Sequence, residues 1–206
     1  MMNCAVFASG GGSNFQSLLD RKLAGDLHVN FALFLGNNSK AAAFDRARKH
    51  GIPAVHCAPS HFAGEQEYAA HLLALLNEHA VELIILAGYM KKIPVSVVTS
   101  FKHRIVNIHP ALLPAFGGAG LYGEKVHQAV LNYGAKVSGV TVHFVDEEYD
   151  HGPVILQDTV QVFDSDDVRT LARRVLVLEH ASYWKALEAI AQNRITVKGR
   201  NVYGYV

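Results

Sequence analysis

The segment CAVFASGGGSN, residues 4–14, joins a short apolar run to a glycine-rich turn. Residues 4–8 have the composition of a buried strand, and Gly10, Gly11 and Gly12 follow almost at once. A helical pattern begins at about residue 14, directly after the turn. A strand, a tight turn and a helix in this order predict the first unit of a parallel α/β sheet.

The following segments alternate between strand and helix patterns in the same way. The apolar runs that predict further strands are residues 30–35, 54–55, 83–87 and 105–109. The helical patterns that separate several of them are residues 39–50 and 65–79. This alternation predicts a mostly parallel sheet with helices on both faces.

The second half of the chain departs from this order. Residues 137–145 and 154–163 have strand character with only a short turn between them, which predicts a mixed or antiparallel extension of the sheet. A long helix is expected at about 166–192, and residues 201–206 are the expected last edge strand. We therefore expect a single Rossmann-like α/β domain over residues 1–206.

Capping residues mark the expected ends of two helices. Ser39 is a suitable N-cap for the helix that runs to about residue 50, and Gly51 is a suitable residue after its last turn. Asp164 or Ser165 is the expected cap of the long helix. These residues predict where the helices begin and end.

Composition excludes several classes of protein. The 206 residues carry a formal net charge of +1 without a long run of Lys or Arg, so no nucleic-acid partner is expected. No apolar stretch approaches the ~18 residues of a membrane span. Cys4 and Cys57 fit no metal-binding spacing and suit a reducing compartment. We expect a cytoplasmic monomer or homodimer whose partners are small molecules.

The glycine turn predicts a phosphate site. Backbone N–H groups at the start of a helix point outward, and the helix dipole favours an anion there. A P-loop would end in Gly-Lys-Ser/Thr where this turn has Gly12, Ser13 and Asn14, and a dinucleotide fingerprint would have a glycine in place of Phe15. A phosphomonoester is therefore the predicted ligand, and a turn without any ligand is the alternative.

Asn107 and His109 form a polar pair at the end of a predicted strand. They are two residues apart, so their side chains point to the same face. The carboxyl ends of strands are where open α/β sheets bind ligands. An Asn can donate a hydrogen bond to a developing oxyanion, and a His exchanges protons near neutral pH. A buried polar pair without catalytic function is the alternative.

An acidic turn, residues 146–150, follows the strand that contains Thr141 and His143. Acidic turns are usually only solvated. A carboxylate directed at His109 would instead raise the pKa of that imidazole and help it act as an acid. The residues alone leave four candidates for this role, which are Asp146, Glu147, Glu148 and Asp150.

A metal site is a further alternative. The chain has 12 histidines, and a metal site would draw on four of them, His103, His109, His143 and His151. The sequence contains no HExxH, no CxxC and no other compact ligand motif. We therefore expect no catalytic metal.

Four motifs together resemble the folate-dependent phosphoribosylglycinamide formyltransferases, also called glycinamide ribonucleotide (GAR) transformylases. The motifs are GGGSN at 10–14, LAGYMKKIP at 86–94, NIHPALLP at 107–114 and GVTVHFVDEEYDHGP at 139–153. The last two are specific in combination, and the resemblance covers nearly the whole chain. It implies a transferase of de novo purine biosynthesis that uses 10-formyltetrahydrofolate as co-substrate and needs no metal.

The resemblance implies roles for three residues at the reacting centre. In the family, the Asn of NIHP binds the formyl oxygen, and this role falls on Asn107. The His of the same motif is the general acid, which corresponds to His109. The Asp before x-Gly-Pro raises the pKa of that histidine and orders a water, which selects Asp150 among the four acids.

The resemblance also implies two binding sites. The residues matched to the GAR site, at its phosphate and its glycinamide end, are Gly11, Gly12, Ser13, Asn14 and Glu179. The residues matched to the folate site are Met90, Lys91, Lys92, Ile93 and Asn107. The backbone of the acidic turn is expected to cover the pteridine.

Three features depart from the family pattern. Lys91 stands where some members have Arg, and His151 is bulky at a position where small residues are common. Residues 116–130 form a long, glycine-rich loop, which we expect to be mobile and to close over substrate. None of these departures removes a residue of the implied catalytic set.

The implied reaction is direct formyl transfer to the amine of GAR without a covalent enzyme intermediate. The alternatives are a formyltetrahydrofolate hydrolase, a formyltransferase acting on another amine, a nicotinamide-dependent oxidoreductase and a catalytically silent binding protein. Phe15 and Asn37 disfavour the oxidoreductase, because they replace the glycine and the acid of its fingerprint. The intact Asn107, His109 and Asp150 disfavour the silent protein.

Overall fold

Strands and helices alternate through most of residues 1–204, the part of the chain that the structure, a computed structural model, describes. The strands of the main sheet are β1 (Met2–Ala8), β2 (Val29–Gly36), β3 (Ala54–His56), β4 (Leu83–Leu86), β5 (Ile105–His109), β6 (Val137–Phe144) and β7 (Val154–Gln161). They form one seven-stranded sheet in the order β3-β2-β1-β4-β5-β6-β7.

The helices lie between the strands, and a small hairpin follows the last of them. The helices are α1 (Ser13–Ala24), α2 (Ala43–Lys49), α3 (Glu65–Glu78), α4 (Val95–Ser100), α5 (Glu124–Tyr133) and α6 (Val168–Ala191). The hairpin consists of β8 (Ile195–Lys198) and β9 (Asn201–Gly204), which pair antiparallel. Within residues 1–204, every helix is too short or too polar to cross a membrane.

The chain divides into two compact units, and the first is Met1–Val106. In this unit β1 pairs in parallel with both β2 and β4, and β2 pairs in parallel with β3. The side chains from Cys4 to Ala8 are fully buried, as expected for a parallel strand that is covered on both faces. Parallel pairing brings the carboxyl ends of β1, β2 and β4 to one edge, where ligand sites of such sheets lie.

The second unit begins at Asn107, within β5. Its strands β6 and β7 pair antiparallel, with a register shift between Val142 and His143. Such an irregularity increases the local bend of a strand, here directly before the acidic turn. Helix α6 packs against both strands and against α5. The second unit therefore supplies the end of β5, the acidic turn and the C-terminal hairpin.

The predicted α/β class is confirmed, with a mostly parallel sheet and an antiparallel C-terminal extension. Residues 201–204 form strand β9, which pairs with β8 in a separate hairpin. The prediction that this segment is an edge strand of the main sheet was therefore wrong. The last two residues of that predicted strand, 205 and 206, lie outside the described residues. The expectation of one functional domain over residues 1–206 stays a prediction.

Two predicted helix caps were wrong. Helix α2 begins at Ala43 rather than near Ser39, and no side chain caps it. Helix α6 is capped by Asp167 instead of Asp164 or Ser165, since its carboxylate accepts the backbone N–H of Thr170 at 2.7 Å. Several polar residues precede each helix, and which of them has cap geometry depends on how the incoming loop approaches. Likewise, α5 occupies the second half of the predicted loop at 116–130.

Candidate active site

The glycine turn in the first unit owes its shape to Gly12. This residue has φ 72° and ψ 36°, in the left-handed region that other residues avoid, and it precedes α1. A Cβ atom at this position would lie 2.7 Å from Cβ of Ala43, so a side chain has no space there. No side chain caps α1. The backbone N–H groups of its first turn therefore point past the helix end, in the arrangement that binds anions.

Arg46 on α2 forms hydrogen bonds with this turn and with the start of α1. Its Nε–H donates to the carbonyl of Gly11 at 2.8 Å, and Nη1 donates to Oε1 of Gln16 at 2.8 Å. The carbonyl of Gly10 accepts the N–H of Ala43 at 3.3 Å. Arg46 was not among the predicted site residues, because a basic residue in an amphipathic helix is usually only solvated. It fixes the turn and adds a positive charge beside it, which favours an anionic ligand.

Ser9 connects the predicted folate segment to the strand ends of the first unit. Its hydroxyl donates to Oδ1 of Asn37 at 2.5 Å and accepts the N–H of Met90 at 2.8 Å. Its N–H donates to the carbonyl of Gly88 at 3.1 Å. The side chains of Met90, Lys91 and Lys92 are exposed, whereas Ile93 is buried. Ile93 therefore anchors the segment in the core, and the three preceding side chains remain accessible.

Asn107, His109 and Asp150 come together in the second unit. The first two project from β5, and Asp150 belongs to the turn between β6 and β7. The Oδ2 atom of Asp150 lies 3.5 Å from Nδ1 of His109, and both side chains are largely buried. The other ring nitrogen, Nε2, donates to the carbonyl of Phe116 at 2.9 Å. Each ring nitrogen of His109 therefore has an oxygen atom within 3.5 Å.

Asp150 is held by the backbone of the loop that follows β5. Its Oδ2 atom accepts the N–H of Gly118 at 2.9 Å. Asp150 and Phe116 have φ of 54° and 56°, which is uncommon for an acid and a strained conformation for a bulky residue. A side chain at Gly117 would collide with Leu113 and crowd Asp150. Backbone strain of this kind concentrates at functional sites, where the surrounding structure enforces it.

Asp150 is the acid beside His109, and the other acids of the turn have different surroundings. Asp146 accepts hydrogen bonds from His151 and from the backbone of Glu148. The side chains of Glu147 and Glu148 are exposed. The geometry thus agrees with the residue that the family resemblance selected.

His143 is a polar residue of the site that the sequence analysis considered only as a metal ligand. Its Nδ1–H donates to the carbonyl of Phe144 at 2.8 Å, so Nε2 is the acceptor for Nδ2 of Asn107 at 3.2 Å. Burial lowers the pKa of His143, although the Phe144 carbonyl and the Asp150 carboxylate oppose this. The lowered pKa favours the neutral ring, whose Nε2 accepts from Asn107 and thereby orients the NH₂ group of that residue. Its alternation with Thr141 along β6 was the signal for this role.

Thr141 ties the loop after β5 to β6. Its hydroxyl donates to the carbonyl of Ala111 at 2.7 Å and accepts the N–H of Leu113 at 3.0 Å. Gln157 donates to the same hydroxyl at 3.0 Å and to the carbonyl of Leu113 at 2.9 Å. Thr141 is fully buried. This network fixes the backbone between His109 and the loop that holds Asp150.

A cavity of about 270 Å³ lies against the acidic turn. Asp150 lines it together with the preceding Tyr149 and the following His151. Arg200, from the loop of the C-terminal hairpin, lines the same cavity. The hairpin therefore reaches the turn that contains the acidic partner of His109.

The remaining predicted site residues differ in surroundings. Glu179 lies on α6 and is buried, 9% exposed, so it is not the solvated glutamate that its sequence context would suggest. Among the described residues, no group of three or more His, Cys, Asp or Glu has the arrangement of a metal site. The binding and catalytic roles assigned from the sequence stay predictions.

Comparison with known proteins identifies the family. Residues 2–187 match the family described as formyl transferase. A phosphoribosylglycinamide formyltransferase of Bacillus subtilis is 36% identical over 89% of this chain and 91% of its own length. A chloroplastic phosphoribosylglycinamide formyltransferase of Vigna unguiculata is 43% identical over 93% of this chain, which spans only 61% of that relative.

A solved structure with the same fold gives the same result. The glycinamide ribonucleotide transformylase 1 of Symbiobacterium toebii superposes with a TM-score of 0.93 at 37% identity. The match covers 100% of this chain and 95% of that one. The chain therefore belongs to the formyl transferase family, in the group of the phosphoribosylglycinamide formyltransferases.

Proposed function

We propose that the chain transfers the formyl group of 10-formyltetrahydrofolate to the amine of GAR, a step of de novo purine biosynthesis. The observation that carries the proposal is the arrangement of Asn107, His109 and Asp150, of which the last two have largely buried side chains. The names of relatives that match most of the chain support the choice of substrate. The proposal treats residues 1–206 as one functional domain.

In the proposed reaction the free amine of GAR attacks the formyl carbon. The new bond joins that carbon to the amine nitrogen, and the bond to N10 of the folate breaks. Between these events the formyl oxygen carries negative charge. Asn107 donates one N–H to His143 and has a second N–H for this oxyanion, and the positive charge of protonated His109 stabilises the oxyanion as well.

Proton transfer completes the proposed reaction. The attacking amine loses a proton, and the leaving nitrogen of the folate gains one. An ionised Asp150 has only hydrogen-bond acceptors, so it suits a water that carries this proton. Its charge also stabilises the imidazolium of His109, 3.5 Å away.

The proposed binding roles follow the two exposed segments of the first unit. The backbone N–H groups after Gly12 would bind the phosphate of GAR, with Arg46 supporting the turn. The side chains of Met90, Lys91 and Lys92 would contact the folate, while Asn107 meets its formyl group. Glu179 is proposed for the glycinamide end of GAR.

The test is a two-substrate assay of the purified protein. With GAR and 10-formyltetrahydrofolate, we expect tetrahydrofolate and formylated GAR in equal amounts. The control omits GAR, and we expect no tetrahydrofolate in that mixture. Release of tetrahydrofolate without GAR would identify a hydrolase instead. A second control replaces GAR with another primary amine, and equal turnover of that amine would contradict the assigned substrate.

A further inference from the structure

The acidic turn between β6 and β7 is closed by one carboxylate. Oδ1 of Asp146 accepts the N–H of Glu148 at 3.0 Å, and Oδ2 accepts Nδ1–H of His151 at 2.7 Å. The start of the turn is thereby tied to its end. Asp150, whose carboxylate faces His109, directly precedes His151 in the chain. Displacement of His151 would therefore displace Asp150.

Arg200, in the loop of the C-terminal hairpin, contacts His151. Its Nη1 lies 2.9 Å from Nε2 and 3.4 Å from Nδ1 of His151, and its Nη2 donates to the backbone carbonyl of His151 at 2.7 Å. The guanidinium thus binds the ring and the main chain at once. The carboxylate of Asp146 can only accept, so Nδ1 of His151 donates to it, and Nε2 is the ring nitrogen nearer to Arg200. The three side chains form one chain of hydrogen bonds that runs through His151.

Arg200 lies in the short connecting loop of the hairpin. Lys198 pairs with Asn201, so Gly199 and Arg200 alone form the connecting loop. Gly199 has φ 62°, which a tight hairpin turn needs and which glycine adopts without strain. Two fixed hydrogen bonds from one guanidinium are more specific than a single surface ion pair.

We propose that Arg200 is a positioning residue, which acts through His151 to hold Asp150 at the reacting centre. The inference rests on the proposed function, in which Asp150 assists proton transfer. It also explains why a bulky His151 is accommodated before Gly152. At Gly152 itself, a Cβ atom would lie 1.9 Å from the carbonyl oxygen of Phe144. Because this position has no space for a side chain, the order of the turn depends on contacts made by other residues.

The experiment compares three variants of the full chain. Arg200→Met keeps an unbranched stem and removes the guanidinium with its hydrogen bonds to His151. Arg200→Lys keeps the charge but cannot bind the ring and the carbonyl in the same way. Lys198→Met is the matched control, because it removes an exposed positive charge from the same hairpin. Each variant is measured for kcat, for both KM values and for hydrogen exchange of residues 146–152.

We expect Arg200→Met to lower kcat about tenfold, since small misplacement of a reacting group is costly, while KM for GAR changes less than about twofold. Arg200→Lys should recover part of the loss, and Lys198→Met should match the parent protein. Exchange of residues 146–152 should rise several-fold in Arg200→Met only. An unchanged kcat, or a loss of kcat without faster exchange, would overturn the proposal.

The exchange measurement separates this inference from the proposed function. It reports how firmly the turn is held, even in a protein that transfers no formyl group. Unchanged exchange in Arg200→Met would reject the positioning role whatever the activity. Faster exchange in Arg200→Met, combined with a parent protein that transfers no formyl group, would support the positioning contact and reject the proposed reaction.

Discussion

The glycine turn at residues 10–14 and the acidic turn at residues 145–153 are built on opposite principles. The first offers backbone N–H groups, and its requirement is the left-handed conformation of Gly12. The second offers one side chain, Asp150, which contacts a loop and a strand and precedes His151, the residue that contacts the hairpin. A backbone site is specified by local chain geometry, whereas a side-chain site is specified by tertiary contacts.

This difference has consequences for how each turn responds to substitution. Changes in the glycine turn should affect binding and folding together, because the ligand and the helix start use the same backbone. Changes at Asp150 in the acidic turn should affect activity without affecting folding, because this side chain contributes little to the core. The following predictions test that separation, beginning with the largest effect.

The largest effect is expected for Asp150→Asn. The amide is isosteric but neutral, so it cannot stabilise an imidazolium at His109 or accept a proton. We expect kcat to fall about 10²–10⁴-fold, the usual contribution of general acid–base catalysis. The free energy of unfolding should change little. Steady-state assays and urea denaturation provide the two measurements, and full activity would remove Asp150 from the mechanism.

Gly12→Ala should disrupt the glycine turn. The left-handed conformation costs a residue with a Cβ atom about 1–2 kcal/mol, and the overlap with Ala43 adds about 1–3 kcal/mol. We expect a lower unfolding free energy together with a higher KM for GAR. The matched control is Gly10→Ala, since a Cβ atom there meets nothing within 4 Å. Equal effects of both substitutions would contradict this account of the turn.

Thr141→Val should loosen the loop that supports Asp150. The substitution leaves the buried N–H of Leu113 without its acceptor, which costs about 1–3 kcal/mol of unfolding free energy. Ser138→Ala on the same strand is the control. The Ser138 hydroxyl is buried and has no hydrogen-bond partner among the described residues, so its removal should be neutral or stabilising. Denaturation curves of both variants measure the difference.

The smallest effect concerns the pH dependence of stability. Burial and, to a smaller extent, His109 lower the pKa of His127, although Glu124 opposes this. As pH falls below ~6.5, the unfolded chain gains a proton at this histidine before the folded chain does. Stability should therefore decline between that pH and the lowered folded-state pKa, by at most about 1.4 kcal/mol per pH unit for this residue.

His127→Leu removes this contribution without leaving a cavity. We expect its unfolding free energy to depend less on pH between about 7 and 5 than that of the parent protein. The measurement is urea denaturation of both proteins at several pH values. A parallel shift of the two curves would show that His127 does not titrate differently in the folded and unfolded chains.

How much the sequence revealed differs between the two turns. The residues of the glycine turn could be predicted, since three consecutive glycines between an apolar run and a helix are compatible with few structures. For the acidic turn, the sequence marked Asn107 and His109 by their spacing but left four acids open. Family resemblance selected Asp150, and the 3.5 Å distance to His109 supports that selection. Arg46 and Arg200 had no such local signal.

The sequence by itself determined the alternation of strands and helices, the parallel sheet, the glycine turn before α1 and the polar residues at the end of β5. Periodicity and glycine placement are properties of neighbouring residues, so they can be read along the chain. Only the tertiary structure decided that Asp167 caps α6, that His143 orients Asn107 and that Arg200 reaches His151. These contacts join residues whose geometry depends on the folded chain, and hydrogen bonds form only when distance and angle are both satisfied.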